Sequence, residues 1–142
     1  MIGFLVDTNV LSELTRPKTN AQVENWLNNA NDEQLFLSVI SLGEILRGIT
    51  ILPEGKRRVQ LQHWVTETLR PWFDGRLLPV SERIAERWGI LTGECQLKGR
   101  RLTTADGLIA ATALEHDLTV VTRNVRDFAD LDLDVLNPWL AG

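Results

Sequence analysis

The most constraining feature of this sequence is an alternation of short apolar runs with longer segments of helical periodicity. The apolar runs predict strands at IGFLV (2–6), LFLSV (35–39), LLPV (77–80), TVVT (119–122) and, more weakly, LDVL (133–136). The segments between them predict helices over 8–15, 20–30, 41–51, 56–73, 81–97 and 104–116. Strands that alternate with helices are typical of a parallel sheet covered by helices. We therefore expect an α/β fold with four or five strands.

Length and composition narrow the class of protein. A chain of 142 residues has the size of one ordinary domain, so we expect a single domain over 1–142. No apolar run approaches the length of about 20 residues that a membrane span needs, and the single cysteine, Cys95, suits a reducing compartment. These features predict a cytoplasmic protein without a membrane contact.

The charge balance argues against nucleic-acid binding by bulk electrostatics, because the net charge is −4. Basic residues are nevertheless clustered locally, in GKRR (55–58), in KGRR (98–101), and at Arg123 and Arg126. Each cluster alone is also typical of a solvated helix end. Local binding of a polyanion therefore stays open.

Four acidic residues from distant parts of the chain would lie near the carboxyl ends of the predicted strands. Asp7 directly ends the first strand, Glu44 opens the helix after the second, Asp106 lies in the first turn of an apolar helix, and Asp127 lies five residues beyond the fourth strand. In open α/β sheets, ligands bind in the crevice at the carboxyl ends of the strands. We therefore expect these four carboxylates to converge at that edge.

Helix capping is the alternative interpretation for three of these acids. In a capping box, a helix-start side chain and an acid three residues later exchange hydrogen bonds with the backbone. The spacing fits for Ser41 with Glu44, Thr103 with Asp106, and Asn124 with Asp127. Asp7 has no helical turn before it, so its position calls for another partner.

The chemistry of a converging acidic cluster favours a metal ion. No lysine or arginine is adjacent in sequence to Asp7, Glu44 or Asp106. Two carboxylates about 4 Å apart repel by roughly 4 kcal/mol at an effective dielectric constant near 20, and a hard divalent cation removes that repulsion. Mg²⁺ or Mn²⁺ fits best, and such an ion promotes hydrolysis of phosphodiesters by activating water. The sequence contains no Gly-rich phosphate loop, no G-x-S-x-G motif and no His-x-x-x-His pair.

Three longer motifs resemble the successive signatures of PIN-domain ribonucleases: VDTNVLSEL, SLGEILRGI and TTADGLIAATALEHDLTVVTRNVRDF. The chain is similar in particular to the VapC-type toxins of bacterial type II toxin–antitoxin pairs, and among them to the FitB-like group, through LPEGKRR and the closing NPW. The resemblance implies a three-layer α/β/α domain with a four- to five-stranded, mainly parallel sheet. It implies that the catalytic, metal-binding acids are Asp7, Glu44, Asp106 and Asp127, supported through hydrogen bonds by Thr8, Thr122 and Asn124.

The resemblance also implies partners. Members of the family form homodimers, are inhibited by a small antitoxin whose tail enters the active-site groove, and bind their operator DNA through that antitoxin. Gly43 and Gly107, which flank two of the acids, stand where alanine is commoner in the family. Each lowers helix propensity by up to about 1 kcal/mol.

The leading hypothesis is therefore a Mg²⁺-dependent endoribonuclease that acts as a toxin, with water attacking the RNA phosphate. The basic residues expected to hold RNA are Arg47, Arg123 and Arg126 near the groove, and Lys98, Arg100 and Arg101 farther away. A second hypothesis makes the chain mainly a binding partner of a DNA-binding antitoxin, with weak or absent nuclease activity. A third, in which Asp7 is the nucleophile of a phosphohydrolase, is disfavoured because Asn9 occupies the place of the second aspartate.

Overall fold

A computed structural model of the chain describes residues 2–140, so residues 1, 141 and 142 of the predicted domain lie outside the described part. The strands are β1 (Gly3–Val6), β2 (Leu35–Ser38), β3 (Leu77–Leu78), β4 (Leu118–Val121) and β5 (Val135–Leu136). The helices are α1 (Thr8–Glu13), α2 (Ala21–Asn29), α3 (Val39–Thr50), α4 (Lys56–Trp64), α5 (Arg70–Trp72), α6 (Glu82–Leu97), α7 (Thr104–His116) and α8 (Val125–Phe128). A short 3₁₀ turn, Asp32–Gln34, precedes β2.

The five strands form one sheet in the order β3-β2-β1-β4-β5, and every neighbouring pair is parallel. The chain extends the sheet on one side of β1 with β2 and β3, and then returns to the other side with β4 and β5. The strand order therefore reverses between β1 and β4, which is where open α/β sheets bind their ligands. The predicted α/β class and the parallel sheet are confirmed.

Helices cover both faces of this sheet. Adjacent residues of β1 point to opposite faces: Val6 packs with α1 and α3 through residues such as Val10 and Ile45, whereas Leu5 packs with α7 through Ile109. The second layer also holds the buried free thiol of Cys95. Two apolar layers on one sheet make the predicted three-layer arrangement.

The segment predicted as one helix over 56–73 is helical from Lys56 to Trp72, but its hydrogen-bonding pattern changes in the middle. After α4, the segment Val65–Leu69 forms a π-helical turn in which the N–H of Arg70 donates to the carbonyl of Val65. Pro71 has no N–H to continue an α-helical ladder. A wider turn placed directly before a proline accommodates that missing donor. Within residues 2–140, no helix combines the length and the apolar character that crossing a bilayer requires.

The start of α3 corrects the predicted capping box of Ser41 and Glu44. The helix begins two residues earlier than expected, because Ser38 at the end of β2 accepts a hydrogen bond from the N–H of Ile40 through its Oγ (3.0 Å). Ser41 is instead buried, and its Oγ has no hydrogen-bond partner within the described residues. Glu44 therefore lies in the second turn, beyond the reach of the helix start, and its carboxylate is available for another role.

Candidate metal centre

Asp7 lies at the point where the strand order reverses, one residue beyond β1. Its N–H donates to the carbonyl of Val121 (2.9 Å), which continues the β1–β4 pairing by one residue. Its carboxylate is 6% exposed and accepts from the N–H of Thr8 through Oδ1 (2.8 Å) and from the Oγ1 hydroxyl of Thr122 through Oδ2 (2.8 Å). Thr8, which follows β1, therefore fixes Oδ1 of this carboxylate, and Thr122, which follows β4, fixes Oδ2.

Asn9 is a third support for Asp7 that the sequence reasoning missed. Its Nδ2 lies 3.3 Å from Oδ2 of Asp7 and 3.1 Å from Oγ1 of Thr122, and its Oδ1 accepts from the N–H of Arg123 (3.1 Å). One amide side chain thus links the segment after β1 to the segment after β4. An amide two residues after a strand-ending acid is the only signal that the sequence offers for this role.

Thr8 and Glu44 meet across the first two strands. The Oγ1 hydroxyl of Thr8 donates to Oε1 of Glu44 over 2.7 Å. Thr8 therefore contacts two of the predicted acids, Asp7 through its backbone and Glu44 through its side chain. This contact brings the exposed carboxylate of Glu44 to the same edge of the sheet as Asp7.

The other two acids come from α7 and α8. Thr103 caps α7 by accepting from the N–H of Asp106 (3.1 Å), as its spacing predicts. Asp106 is half-buried and Asp127 is exposed. Asn124 does not cap α8 with its side chain, which contradicts the predicted capping role; its backbone N–H donates to Oγ1 of Thr122 (3.0 Å) instead.

Burial and mutual repulsion raise the pKa of two of these carboxyls above their ordinary values. For Asp7, burial is the largest cause, hydrogen bonds from Thr122 and the N–H of Thr8 lower the pKa, and the charges of Asp106 and Glu44 raise it. For Asp106, burial again comes first, a hydrogen bond with Thr103 opposes it, and Asp127 and Glu44 raise the pKa. The four acids are therefore close enough for their charges to act on one another.

Among the described residues, no ion pair neutralises the four acids of this edge. None of the ion pairs found between residues 2 and 140 includes Asp7, Glu44, Asp106 or Asp127. In the same part of the chain, no three acidic, histidine or cysteine side chains are gathered tightly enough to enclose an ion as they stand. The donors are all oxygens, which suits a hard divalent cation such as Mg²⁺. The chemistry of the donors therefore suits such an ion, although the carboxylates as they stand form an open edge and not a closed cage.

These raised pKa values predict how the metal-free protein responds to pH. A carboxyl whose pKa is higher in the folded than in the unfolded chain stabilises the fold fully below about pH 4, and this contribution is lost as the pH rises through the folded value. We expect the free energy of unfolding of the wild type, relative to Asp7→Asn, to fall as the pH rises from about 4. Urea unfolding in EDTA across that range measures the difference. A difference that grows with pH would contradict the raised pKa.

The predicted RNA-binding cations are dispersed over the surface. Arg47 is exposed in the last turn of α3, three residues after Glu44, and Arg126 is exposed beside Asp127 on α8. Arg123 is exposed directly after Thr122, whereas Arg101 is exposed in the segment between α6 and α7. Lys98 lines a separate cavity of about 610 Å³ against α6, and none of the four acids lines that cavity.

The structure gives the Arg100 guanidinium a different use from the predicted RNA contact. Its Nη2 donates to the carbonyls of Arg126 (3.2 Å) and Asp127 (2.8 Å), and its Nη1 donates to the carbonyl of Ala129. These carbonyls lie at the end of α8, the short helix that carries Asp127. Arg100 is therefore a positioning residue for the acid at the edge of the cluster.

Removing this guanidinium should loosen α8. We expect Arg100→Ala to lower the free energy of unfolding by about 1–2 kcal/mol, because a typical hydrogen bond contributes about 0.5–1.5 kcal/mol and the three bonds of this guanidinium are exposed to solvent. Hydrogen exchange of the amides in 126–129 should also accelerate. Urea unfolding and exchange mass spectrometry measure the two effects. The neighbouring exposed Arg101→Ala is the control, and equal behaviour of the two variants would rule out the positioning role.

Comparison with known proteins identifies the family of this chain. The family model described as "PIN domain" matches residues 4–133. "Toxin FitB" of Neisseria gonorrhoeae is 38% identical over 136 residues, which cover 96% of this chain and 98% of the relative. "VapC ribonuclease Y4jK" of Sinorhizobium fredii is 35% identical, covering 96% and 97%.

A solved structure shows the same relationship in three dimensions. The structure of FitAB bound to the IR36 DNA fragment contains a chain that is 38% identical, and it superposes with a TM-score of 0.90 over 96% of this chain and 95% of that one. The resemblance carried by the three sequence motifs is confirmed. With a family model that spans most of the chain and relatives that match over nearly their full lengths, this chain belongs to the PIN-domain family.

Proposed function

We propose that this chain is a Mg²⁺- or Mn²⁺-dependent endoribonuclease and the toxin of a type II toxin–antitoxin pair. The observation that carries the proposal is the environment of Asp7. Its carboxylate is buried, has a raised pKa, and is held by hydrogen bonds from the ends of two strands where the strand order reverses. It lies near the other three acids, and no ion pair with a cation of the described residues neutralises it. The names of the relatives, a toxin and a VapC ribonuclease, support it.

The residues of the site have three roles: binding the ion, orienting the carboxylates, and positioning the turn that carries Asp127. Asp7, Glu44, Asp106 and Asp127 would hold the ion, which when bound supplies the charge that acidifies a water molecule and offsets negative charge on the phosphate. Thr122 and Asn9 orient the Asp7 carboxylate, and Thr8 orients Glu44. Arg100 fixes the turn that carries Asp127.

The proposal includes a protein partner. The FitAB relative was solved with a DNA fragment, and another neighbour, 29% identical with a TM-score of 0.72, is a toxin–antitoxin complex from Klebsiella pneumoniae. By analogy, this chain would pair with a small DNA-binding antitoxin. Co-expression with the reading frame beside its gene, followed by purification of a complex, tests that part.

The enzymatic part is tested with the purified chain and single-stranded RNA. We expect internal cleavage with Mg²⁺, loss of cleavage in excess EDTA, and recovery when Mg²⁺ is restored. Cleavage that persists in EDTA excludes the metal mechanism. If Asp106→Asn leaves growth inhibition intact while loss of the antitoxin contact abolishes operator binding, the chain is mainly a binding partner instead.

A further inference from the structure

The segment that follows β5 carries the closing NPW motif and forms a hydrogen-bonded turn. Oδ1 of Asn137 accepts from the N–H of Trp139 (2.9 Å), and the carbonyl of Asn137 accepts from the N–H of Leu140 (3.1 Å). Pro138 is buried between them, and its ring fixes the backbone φ angle. The turn therefore holds the Trp139 indole in one direction.

Two contacts hold the Trp139 ring itself. It is half-buried against the apolar layer that includes Val10 and Val121, and the guanidinium carbon of Arg123 lies 5.0 Å from its centroid. A guanidinium over a ring at that distance makes a cation–π contact. Within residues 2–140, no ion pair engages Arg123. The ring is therefore the contact that orders this exposed side chain.

The same segment also holds the residue before Arg123, through the backbone. The carbonyl of Leu136, the last residue of β5, accepts from the N–H of Thr122 (2.9 Å). Leu136 and Trp139 are three residues apart, whereas Thr122 and Arg123 are adjacent. One short segment therefore fixes two consecutive residues after β4, the first at its backbone and the second at its side chain.

These two residues support the Asp7 carboxylate from the side of β4. The Thr122 hydroxyl donates to Oδ2 of Asp7 (2.8 Å), and the N–H of Arg123 donates to Oδ1 of Asn9 (3.1 Å). Asn9 in turn places its Nδ2 3.3 Å from the same Oδ2. A displacement of the backbone at 122–123 would therefore move both groups that orient this oxygen.

We propose that Trp139 is a positioning residue for the Asp7 carboxylate and acts through Arg123. The proposal rests on the nuclease function proposed for this chain and adds to it a residue outside the ligands of the ion. The alternative is that the ring only fills the apolar layer. In that case its replacement lowers the stability of the fold but leaves the backbone at 122–123 of the folded protein unchanged.

The first measurement needs neither a metal nor a substrate. The amides of the isotope-labelled full chain are followed by NMR in EDTA, at a temperature where the variants are folded. We expect Trp139→Leu to speed hydrogen exchange of the Arg123 N–H about 10-fold and to shift the side-chain amide resonances of Asn9. Trp139→Phe keeps a ring beside the guanidinium and should stay close to the wild type.

A second variant removes the other half of the contact. Arg123→Ala deletes the guanidinium but keeps the backbone N–H that donates to Asn9, and it leaves the core intact. It should speed exchange at position 123 in the same way, and the double variant with Trp139→Leu should add little to either single one. Because position 123 is exposed, this variant decides the question even where Trp139→Leu does not fold.

Trp26→Leu is the matched control for a loss of packing. Trp26 is half-buried against the same apolar layer, and its ring meets Phe4 edge-on, three residues before Asp7. Its replacement should lower the melting temperature as Trp139→Leu does. Exchange at Arg123 should stay as in the wild type.

Binding of Mg²⁺ alone, measured by calorimetry, is the second readout. Loss of a group that orients a metal ligand typically weakens metal binding about 10–100-fold, and we expect the lower end, about 10-fold, for Trp139→Leu. Trp26→Leu and Trp139→Phe should bind the ion almost as the wild type does. Arg123→Ala removes a cation, which by charge alone would strengthen Mg²⁺ binding. Weaker binding by this variant therefore indicates lost positioning.

The outcomes separate this inference from the nuclease proposal. Unchanged exchange at Arg123 and unchanged Asn9 resonances in Trp139→Leu and Arg123→Ala overturn the inference, whether or not the wild type cleaves RNA. So does a Trp26→Leu protein that changes them equally. Altered exchange and resonances in EDTA, with a wild type that neither binds Mg²⁺ nor cleaves RNA, support the positioning of Asp7 and contradict the nuclease function.

Discussion

The Asp7→Asn protein is expected to cleave single-stranded RNA about 1,000-fold more slowly than the wild type, a loss of several kcal/mol of transition-state stabilisation. The introduced amide keeps an oxygen for the N–H of Thr8, but its nitrogen replaces the oxygen that accepts from the Thr122 hydroxyl and faces Nδ2 of Asn9. The melting temperature without Mg²⁺ measures the cost of that change to the fold separately. What disappears is the negative charge at the most buried position of the acidic edge. A metal held mainly by Asp7 would then be bound far more weakly.

Single-turnover cleavage at saturating Mg²⁺ measures the rate, and a thermal melt with and without Mg²⁺ measures binding of the ion. Wild type should melt at a higher temperature with Mg²⁺, because the ion binds the folded state. Asp7→Asn should show little of that increase. Asp74→Asn is the matched control, since Asp74 is exposed in the turn before β3 and accepts no side-chain hydrogen bond among those found in the described residues. Wild-type cleavage by Asp7→Asn would exclude Asp7 from the metal centre.

Gly107→Ala should destabilise the fold by about 1–2 kcal/mol although alanine is the better helix former. A Cβ at Gly107 would lie 2.9 Å from Cδ1 and Nε1 of Trp88 and 2.9 Å from Cγ2 of Thr92, closer than real side chains approach. These atoms belong to α6, which packs along α7. The overlap is relieved when the side chains of Trp88 and Thr92 shift or when α7 moves away from α6, and either change disturbs the packing beside Asp106.

Gly43→Ala is the matched control, because a Cβ there meets no atom within 4 Å. It should stabilise the protein by up to about 1 kcal/mol through helix propensity alone. Urea unfolding of both variants measures the contrast. Combining Gly107→Ala with the smaller Trp88→Leu should recover part of the loss, so that the double variant is less destabilised than the sum of the single ones. Stabilisation by both glycine replacements would show that the close approach of Trp88 and Thr92 to Gly107 carries no cost.

The sequence predicts the sheet well because each strand is a compact apolar run. Asp7 directly follows β1, whereas Asp106 lies at the start of α7, whose other end leads into β4. The start of α7 therefore lies at the same edge as the carboxyl ends of the parallel strands. Gly107 illustrates a limit: its cost in helix propensity is visible in the sequence, but its reason, the indole of Trp88, lies on another helix.

Helix starts and side-chain partners are less predictable because they depend on contacts made after folding. Ser38 and Ser41 are both good capping residues, and the sequence does not show that β2 ends early enough for Ser38 to cap α3. Likewise, Arg100 and Lys98 belong to one basic cluster, yet one side chain binds backbone carbonyls and the other stays exposed. Charge alone cannot separate those two outcomes.

The position of β4 between β1 and β5 also sets an order of events during synthesis. Asp7 leaves the ribosome near the beginning of translation, but Thr122, which holds its carboxylate, is made 115 residues later. Until β4 pairs with β1, the first acid has no partner from the other half of the sheet. The acidic edge, with the Asp7 carboxylate held from both strands, is therefore complete only after β4 has been made and has paired with β1.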